Sequence, residues 1–123
     1  MKQTNVASFK PAEVVTIDGR TVLNDSEEWR LSCEAVYTLR MPERERAIHL
    51  EKVEKRRGES GRAYLQEELD RVEPAFVLEM QDKYLRRSYL AAVEQHRGAM
   101  VRSKIERAVV NLWENRKRAS DVR

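Results

Sequence analysis

V-E-K-R-R-G at residues 53–58 and V-E-Q-H-R-G at residues 93–98 lie forty positions apart and share Val, Glu, Arg and Gly at identical spacing. Leu50 and Val53, like Leu90 and Val93, are three residues apart and fall on one face of a helix. Glu54 and Arg57, like Glu94 and Arg97, have the spacing of an exposed intrahelical ion pair. An arginine in the last turn suits the negative end of the helix dipole. Gly58 and Gly98 can then adopt the left-handed conformation that closes a helix. The motif therefore predicts a helix-ending corner used twice, built from Glu54, Arg57, Gly58 and from Glu94, Arg97, Gly98. The competing reading makes Arg57 and Arg97 a paired anion site.

Set without gaps, residues 46–62 and 86–102 agree at seven of seventeen positions, from Arg46/Arg86 to Arg62/Arg102. Leu65/Ile105 and Leu69/Val109 extend the apolar match. This predicts two helical-hairpin repeats, too few for a solenoid array.

The 123 residues suit one domain with a modest core. They are 41% hydrophobic and 37% charged, with four Gly and three Pro. That balance favours helices with thin apolar stripes and wide solvated faces. A lone cysteine, Cys33, excludes an internal disulfide and suits a reducing interior. The opening residues lack the apolar run of a signal peptide, and no stretch approaches the roughly 18 apolar residues of a membrane span. The expected setting is the cytoplasm, away from membranes.

Residues 1–12 read as a flexible arm, residues 13–118 as one helical domain, and residues 119–123 as a frayed tail. Asp18-Gly19, flanked by Val and Ile, predicts a β-hairpin over 13–23 with a tight turn and positive φ at both central residues. Helices fill residues 26–118. Asp25 or Ser26 caps the first, whose inward face is Trp29, Cys33, Val36 and Tyr37. Pro42 starts the second, which stops at Gly58. The third carries Tyr64 or Leu65, Leu69 and Val72. Pro74 kinks it or starts the fourth, with Phe76, Val77, Met80, Tyr84, Leu90 and Val93. Val101, Ile105, Ala108 or Val109, Leu112 and Trp113 mark the fifth, with Trp113, like Trp29, expected in the core. The expected fold is thus mainly α, with an N-terminal β-hairpin and about five helices in a small bundle.

No catalytic constellation emerges. His49 and His96 fall outside the H-E-x-x-H and C-x-x-C patterns, and no phosphate-binding loop is written. Cys33, on the expected inward face, reads as a buried structural thiol. No catalytic, metal or cofactor site is therefore expected, and the chain reads as a non-enzyme.

Charge is uneven: residues 1–73 balance to −2 and residues 74–123 to +5. Arg97, Arg102, Lys104, Arg107, Arg116, Lys117 and Arg118 concentrate the surplus and are the candidate contacts for a partner or for nucleic-acid phosphates. On a helix only part of this set shares a face.

D-S-E-E-W-R-L-S-C-E-A at 25–35, R-M-P at 40–42 and V-E-K-R-R-G at 53–58 resemble a group of small uncharacterised proteins encoded by tailed phages and prophages. The resemblance covers roughly residues 14–72, and N-L-W-E-x-R at 111–116 is similar in style. It implies an accessory phage protein in a bacterial host and carries no assigned activity or site residues. The expected function is stoichiometric binding of a host protein, in the manner of a host-takeover factor that inhibits a defence system. Nucleic-acid binding through the basic C-terminal helices is the second expectation. The hairpin or the repeats also suit a homodimer.

Overall fold

The computed structural model describes residues 10–121. Strands β1 (Glu13–Val15) and β2 (Thr21–Leu23) pair antiparallel, with Val14 opposite Val22. Four helices follow: α1 (Glu27–Leu39), α2 (Glu43–Leu78), α3 (Lys83–Arg97) and α4 (Ala99–Asp121). The expected mainly helical architecture with an N-terminal hairpin is present. Gly58 divides α2 into two arms, residues 43–57 and 59–78. Residues 1–9 of the expected arm and 122–123 of the expected tail lie outside the described residues, and α4 continues helical through Asp121.

The hairpin turn differs from the sequence expectation. Thr16 N donates to Arg20 O at 2.8 Å and Gly19 N donates to Thr16 O at 2.9 Å, so the loop is Ile17-Asp18-Gly19. Only Gly19 has positive φ, at 93°, and Asp18 does not. A three-residue loop needs one left-handed residue where a two-residue turn needs two. The Thr16 hydroxyl donates to Asp18 Oδ1 at 2.5 Å and accepts the Arg20 amide at 2.9 Å, which holds the longer loop.

Ser26, rather than Asp25, caps α1: its Oγ accepts the Trp29 amide at 3.1 Å. The buried face of α1 is Ser32, Ala35, Thr38 and Leu39. The expected inward set lies on the neighbouring face, where Trp29 and Val36 are half-buried and Cys33 and Tyr37 are exposed. Small side chains let α1 approach α2 closely, and the bulkier ones turn toward the hairpin. Cys33 is consequently an exposed thiol and not a buried one.

The two glycine corners have the expected location and a different geometry. Gly58 sits at φ 79°, ψ 178° and Gly98 at φ 98°, ψ 162°. These angles lie in the region of positive φ with extended ψ that only glycine occupies readily, away from the left-handed helical well of an ordinary C′ cap. Gly98 N still donates to Glu94 O at 2.9 Å, and Gly98 O accepts Arg102 N at 3.2 Å. One residue thus ends α3 and begins α4.

Past each corner the chain folds back on itself. Val53, before Gly58, shares a core cluster with Leu65, Leu69 and Val72 after it, together with Ala35, Leu39 and Leu50. Val93, before Gly98, packs with Ile105 after it and with Val77. Val53 and Val93 are fully buried and contribute about 2 kcal/mol each by removal from water.

Pro74 neither ends nor starts a helix. It lies inside α2, and Phe76 and Val77 belong to that helix rather than to α3. The buried run Val72, Glu73, Ala75 and Val77 anchors the helix on both sides of the proline. The actual break follows Leu78, and Asp82 caps α3 by accepting the Tyr84 amide at 2.8 Å. Leu65, not Tyr64, is the inward residue of the second α2 arm.

Candidate binding surfaces

Two acids and two bases meet where both repeats touch. Arg46 and Glu43 come from the first arm of α2, Glu73 from the second, and Tyr89 and Arg97 from α3. Arg97 clamps Glu73 through Nη1–Oε1 at 3.0 Å and Nη2–Oε2 at 2.6 Å. It also donates to both Glu43 oxygens at 3.1 Å. Arg46 Nη1 lies 2.6 Å from Glu43 Oε2, and Nη2 donates to Leu39 O at 3.0 Å and Tyr89 Oη at 3.2 Å. Tyr89 Oη in turn donates to Glu73 Oε2.

Electrostatics follow from burial. Desolvation alone would push the Glu73 carboxyl up, but the hydrogen bonds and charge of Arg97, with help from Tyr89 and Arg46, hold it below the ordinary glutamate value. Burial and the adjacent Glu73 charge push the Tyr89 phenol well above its usual value. Burial opposes the Arg97 charge, yet Glu73 and Glu43 raise its pKa further. Glu73 and Arg97 are thereby held in their charged forms at neutral pH, and the Tyr89 phenol in its neutral form.

A second buried carboxylate fastens the hairpin. Glu68, 1% exposed, accepts Arg20 Nη2 from the hairpin and Arg71 Nη1 at 2.9 Å. Neither cluster stood out in the sequence. The signal was there: Arg46 precedes Leu50 by four residues, and Glu68 and Glu73 interleave with Leu65, Leu69 and Val72. Charges written onto an apolar stripe point to buried pairing.

The expected Glu54–Arg57 and Glu94–Arg97 pairs do not form. Arg57 reaches Glu34 on α1 at 3.0 and 2.5 Å, while Arg97 enters the buried cluster. Glu54 instead holds Arg62 at 2.9 Å, and Glu94 holds Arg102 at 3.2 Å. Each repeat thus bridges its glycine corner with a glutamate and the arginine eight positions later. Arg57 and Arg97 engage carboxylates on different helices, so no paired anion site is assembled from them.

The remaining basic candidates divide. Arg102 also meets Glu106 at 3.4 Å, Arg116 pairs with Glu79 at 2.9 Å, and Lys117 Nζ lies 5.1 Å from the Trp113 ring centre. Lys104, Arg107 and Arg118 are exposed and hold no acidic partner among the described residues. Their spacing places them on one outer face of α4. Trp113, expected in the core, is 51% exposed.

Two of the concave surfaces flank these features. One, between the hairpin and α1, is lined by Val15, Ile17, Trp29, Cys33, Val36 and Tyr37, with Arg40 its one charged side chain among the described residues. The other is a groove of about 580 Å³ beside the buried cluster, between the arms of α2 and the end of α3. No three metal-ligating side chains converge among the described residues, and no described helix is long and apolar enough to cross a membrane.

The profile of a family of unknown function (DUF7696) matches residues 22–75. The match runs from β2 through α1 and most of α2, taking in Glu43, Arg46 and Glu73 and leaving out Tyr89 and Arg97. Comparisons with curated proteins and with solved structures return no match.

Proposed function

We propose that the protein works by stoichiometric binding of another protein and performs no chemistry of its own. The observation that carries this reading is the apolar face between the hairpin and α1. Val15 is 63% and Tyr37 61% exposed there, with Cys33 also exposed beside them. Clustered apolar exposure of this kind marks contact surfaces on soluble proteins. With Arg40 alone bearing charge, the face suits an apolar patch on the partner. The titratable groups that cluster elsewhere are consumed by one another, as the Arg46, Glu73 and Arg97 distances testify.

The motif resemblance supplies a setting: a phage or prophage accessory protein in the bacterial cytoplasm, acting on a host protein, with inhibition of a defence system as the consequence. The test is capture of partners from bacterial lysate by the tagged protein and by a Val36→Glu/Tyr37→Glu variant, each with and without nuclease. A discrete protein that survives nuclease and is lost with the variant supports the reading. Capture that the variant leaves intact removes this face from consideration.

A second reading rests on Lys104, Arg107 and Arg118, which share one outer face of α4 without acidic partners among the described residues. Such a stripe can track nucleic-acid phosphates. Binding to a DNA or RNA duplex that collapses between low and moderate salt, and weakens with Lys104→Glu/Arg107→Glu, would favour it over protein capture.

A further inference from the structure

Helix α4 spends one face on the core and leaves another without a partner. Val101, Ile105 and Val109 pack on the cluster of Val77 and Val93. Glu106, Val110, Trp113 and Lys117 follow one another at intervals of four, three and four residues. That spacing makes them a separate stripe along the side of the helix, with the period of a coiled-coil seam. All four are exposed, Val110 by 54% and Trp113 by 51%. Every residue from Trp113 to Asp121 is exposed, so this end of α4 has no buried side chain to anchor it. Helical segments of this length draw their stability from packing more than from propensity.

The stripe is complementary to itself when reversed. Val110 and Trp113 stand the same number of residues from the midpoint between Asn111 and Leu112, and so do Glu106 and Lys117. A two-fold axis at that midpoint sets Val110 against Trp113 and Glu106 against Lys117, and each contact is made twice. Arg107 and Glu114 flank the stripe on its solvent side. The same axis brings them together as the flanking ion pairs of an antiparallel helix pair. Neither has an ion-pair partner among the described residues. Glu106 makes a single contact, at 3.4 Å, with Arg102, which also holds Glu94. Lys117 lies over the Trp113 ring of its own chain and meets no carboxylate among the described residues. A parallel alignment would set Glu106 on Glu106 and Lys117 on Lys117, so charge selects the antiparallel one.

We propose that the protein forms a two-fold homodimer through α4, the Glu106–Val110–Trp113–Lys117 stripe of one copy packed antiparallel on that of its partner. Val110 and Trp113 leave water at the centre, and the charges at either end fix the register. The unanchored end of each helix then lies along the bundle-anchored half of the other. This surface is separate from the hairpin–α1 face, so it stands or falls independently of the protein-binding reading. It engages Arg107 and therefore competes with phosphate contact by that side chain.

The test is sedimentation equilibrium of the full chain, under reductant so that the exposed Cys33 cannot link copies. The expected mass is that of a dimer that dissociates on dilution. Trp113→Glu should raise the dissociation constant about tenfold or more. Glu106→Lys and Lys117→Glu should each weaken the dimer severalfold, because each sets like charges opposite one another. Mixing these two variants, or combining both changes in one chain, should restore it, since every opposed pair is again a glutamate with a lysine. All three positions are exposed, and circular dichroism checks that the variants fold. A chain that is still monomeric at about 1 mM would overturn the proposal. So would a dimer that ignores Trp113→Glu, charge reversals that the mixture fails to rescue, or a dimer lost instead with Val36→Glu/Tyr37→Glu.

Discussion

The Arg97 guanidinium holds the Glu73 carboxylate in a bidentate pair across 24 residues of sequence, Nη1–Oε1 at 3.0 Å and Nη2–Oε2 at 2.6 Å. Glu73 belongs to the helix that closes the first repeat and Arg97 to the corner of the second. The pair therefore ties one hairpin to the other. Because Arg46 and Glu43 complete it, neither charge is left unpaired in a buried setting.

Glu73→Gln should lower unfolding free energy by about 3 kcal/mol at neutral pH, since Arg97 and Arg46 then share only Glu43. The pH dependence has a definite sign. The folded-state pKa of Glu73 lies below its ordinary value of 4.5. Its stabilisation is fully present above that value and is lost as pH falls through the folded pKa. Denaturant melts between pH 7 and pH 3 should show an acid loss in the parent chain that is smaller in Glu73→Gln. An identical acid slope in both proteins would remove Glu73 from the account.

Tyr89→Phe deletes a phenol that donates to Glu73 and accepts from Arg46. The expected cost is about 1–2 kcal/mol. Its ionisation is the sharper readout. The folded pKa is raised above the usual 10.0, so the contribution is intact below pH 10 and fades as pH climbs through the folded value. Subtracting the Tyr89→Phe phenolate absorbance titration from the parent should isolate one tyrosine that ionises only well above pH 10. A difference curve centred at 10 would show Tyr89 exposed to water.

The two glycine corners offer a paired test of the repeat. A methyl group added at the Cα of Gly58 or Gly98 would meet no atom within 4 Å, so backbone angle alone decides the cost of a side chain. Alanine at φ 79° or 98° with extended ψ is strained by about 1–3 kcal/mol. Gly58→Ala and Gly98→Ala should therefore destabilise by similar amounts. By contrast Arg62→Ala and Arg102→Ala, which open exposed ion pairs, should each cost under about 1 kcal/mol and less at high salt.

Much of this was written legibly in the chain. Regular spacing of Leu and Val gave the helices, and Gly58 and Gly98 marked the corners. What escaped was set by three-dimensional partners. Arg57 could pair locally with Glu54, but Glu34 on α1 offers it both carboxylate oxygens. Pro74 reads as a kink or a new start until Val72, Ala75 and Val77 are seen buried around it. On α1 the choice of face turned on close packing. Ala35, Ser32 and Thr38 are too small or too polar to register as an apolar stripe, yet they are the side chains that fit against α2. The basic C-terminal residues were likewise countable in sequence, and only the fold separates those bound to Glu79, Glu94 or Glu73 from Lys104, Arg107 and Arg118.

That reversal of α1 makes Cys33 the most direct reporter of the hairpin–α1 face. It is the only cysteine in the chain, and it is exposed among Trp29, Val36 and Tyr37. A thiol reagent such as dithionitrobenzoate should label it stoichiometrically in the native protein without denaturant. Labelling with a bulky maleimide should leave the helical circular dichroism unchanged, because the buried side of α1 is the neighbouring set of Ser32, Ala35, Thr38 and Leu39. The same adduct should abolish capture of any partner that docks on this face. Native Cys33 that reacts only after denaturant is added would return the residue to the core and reassign the packing face of α1.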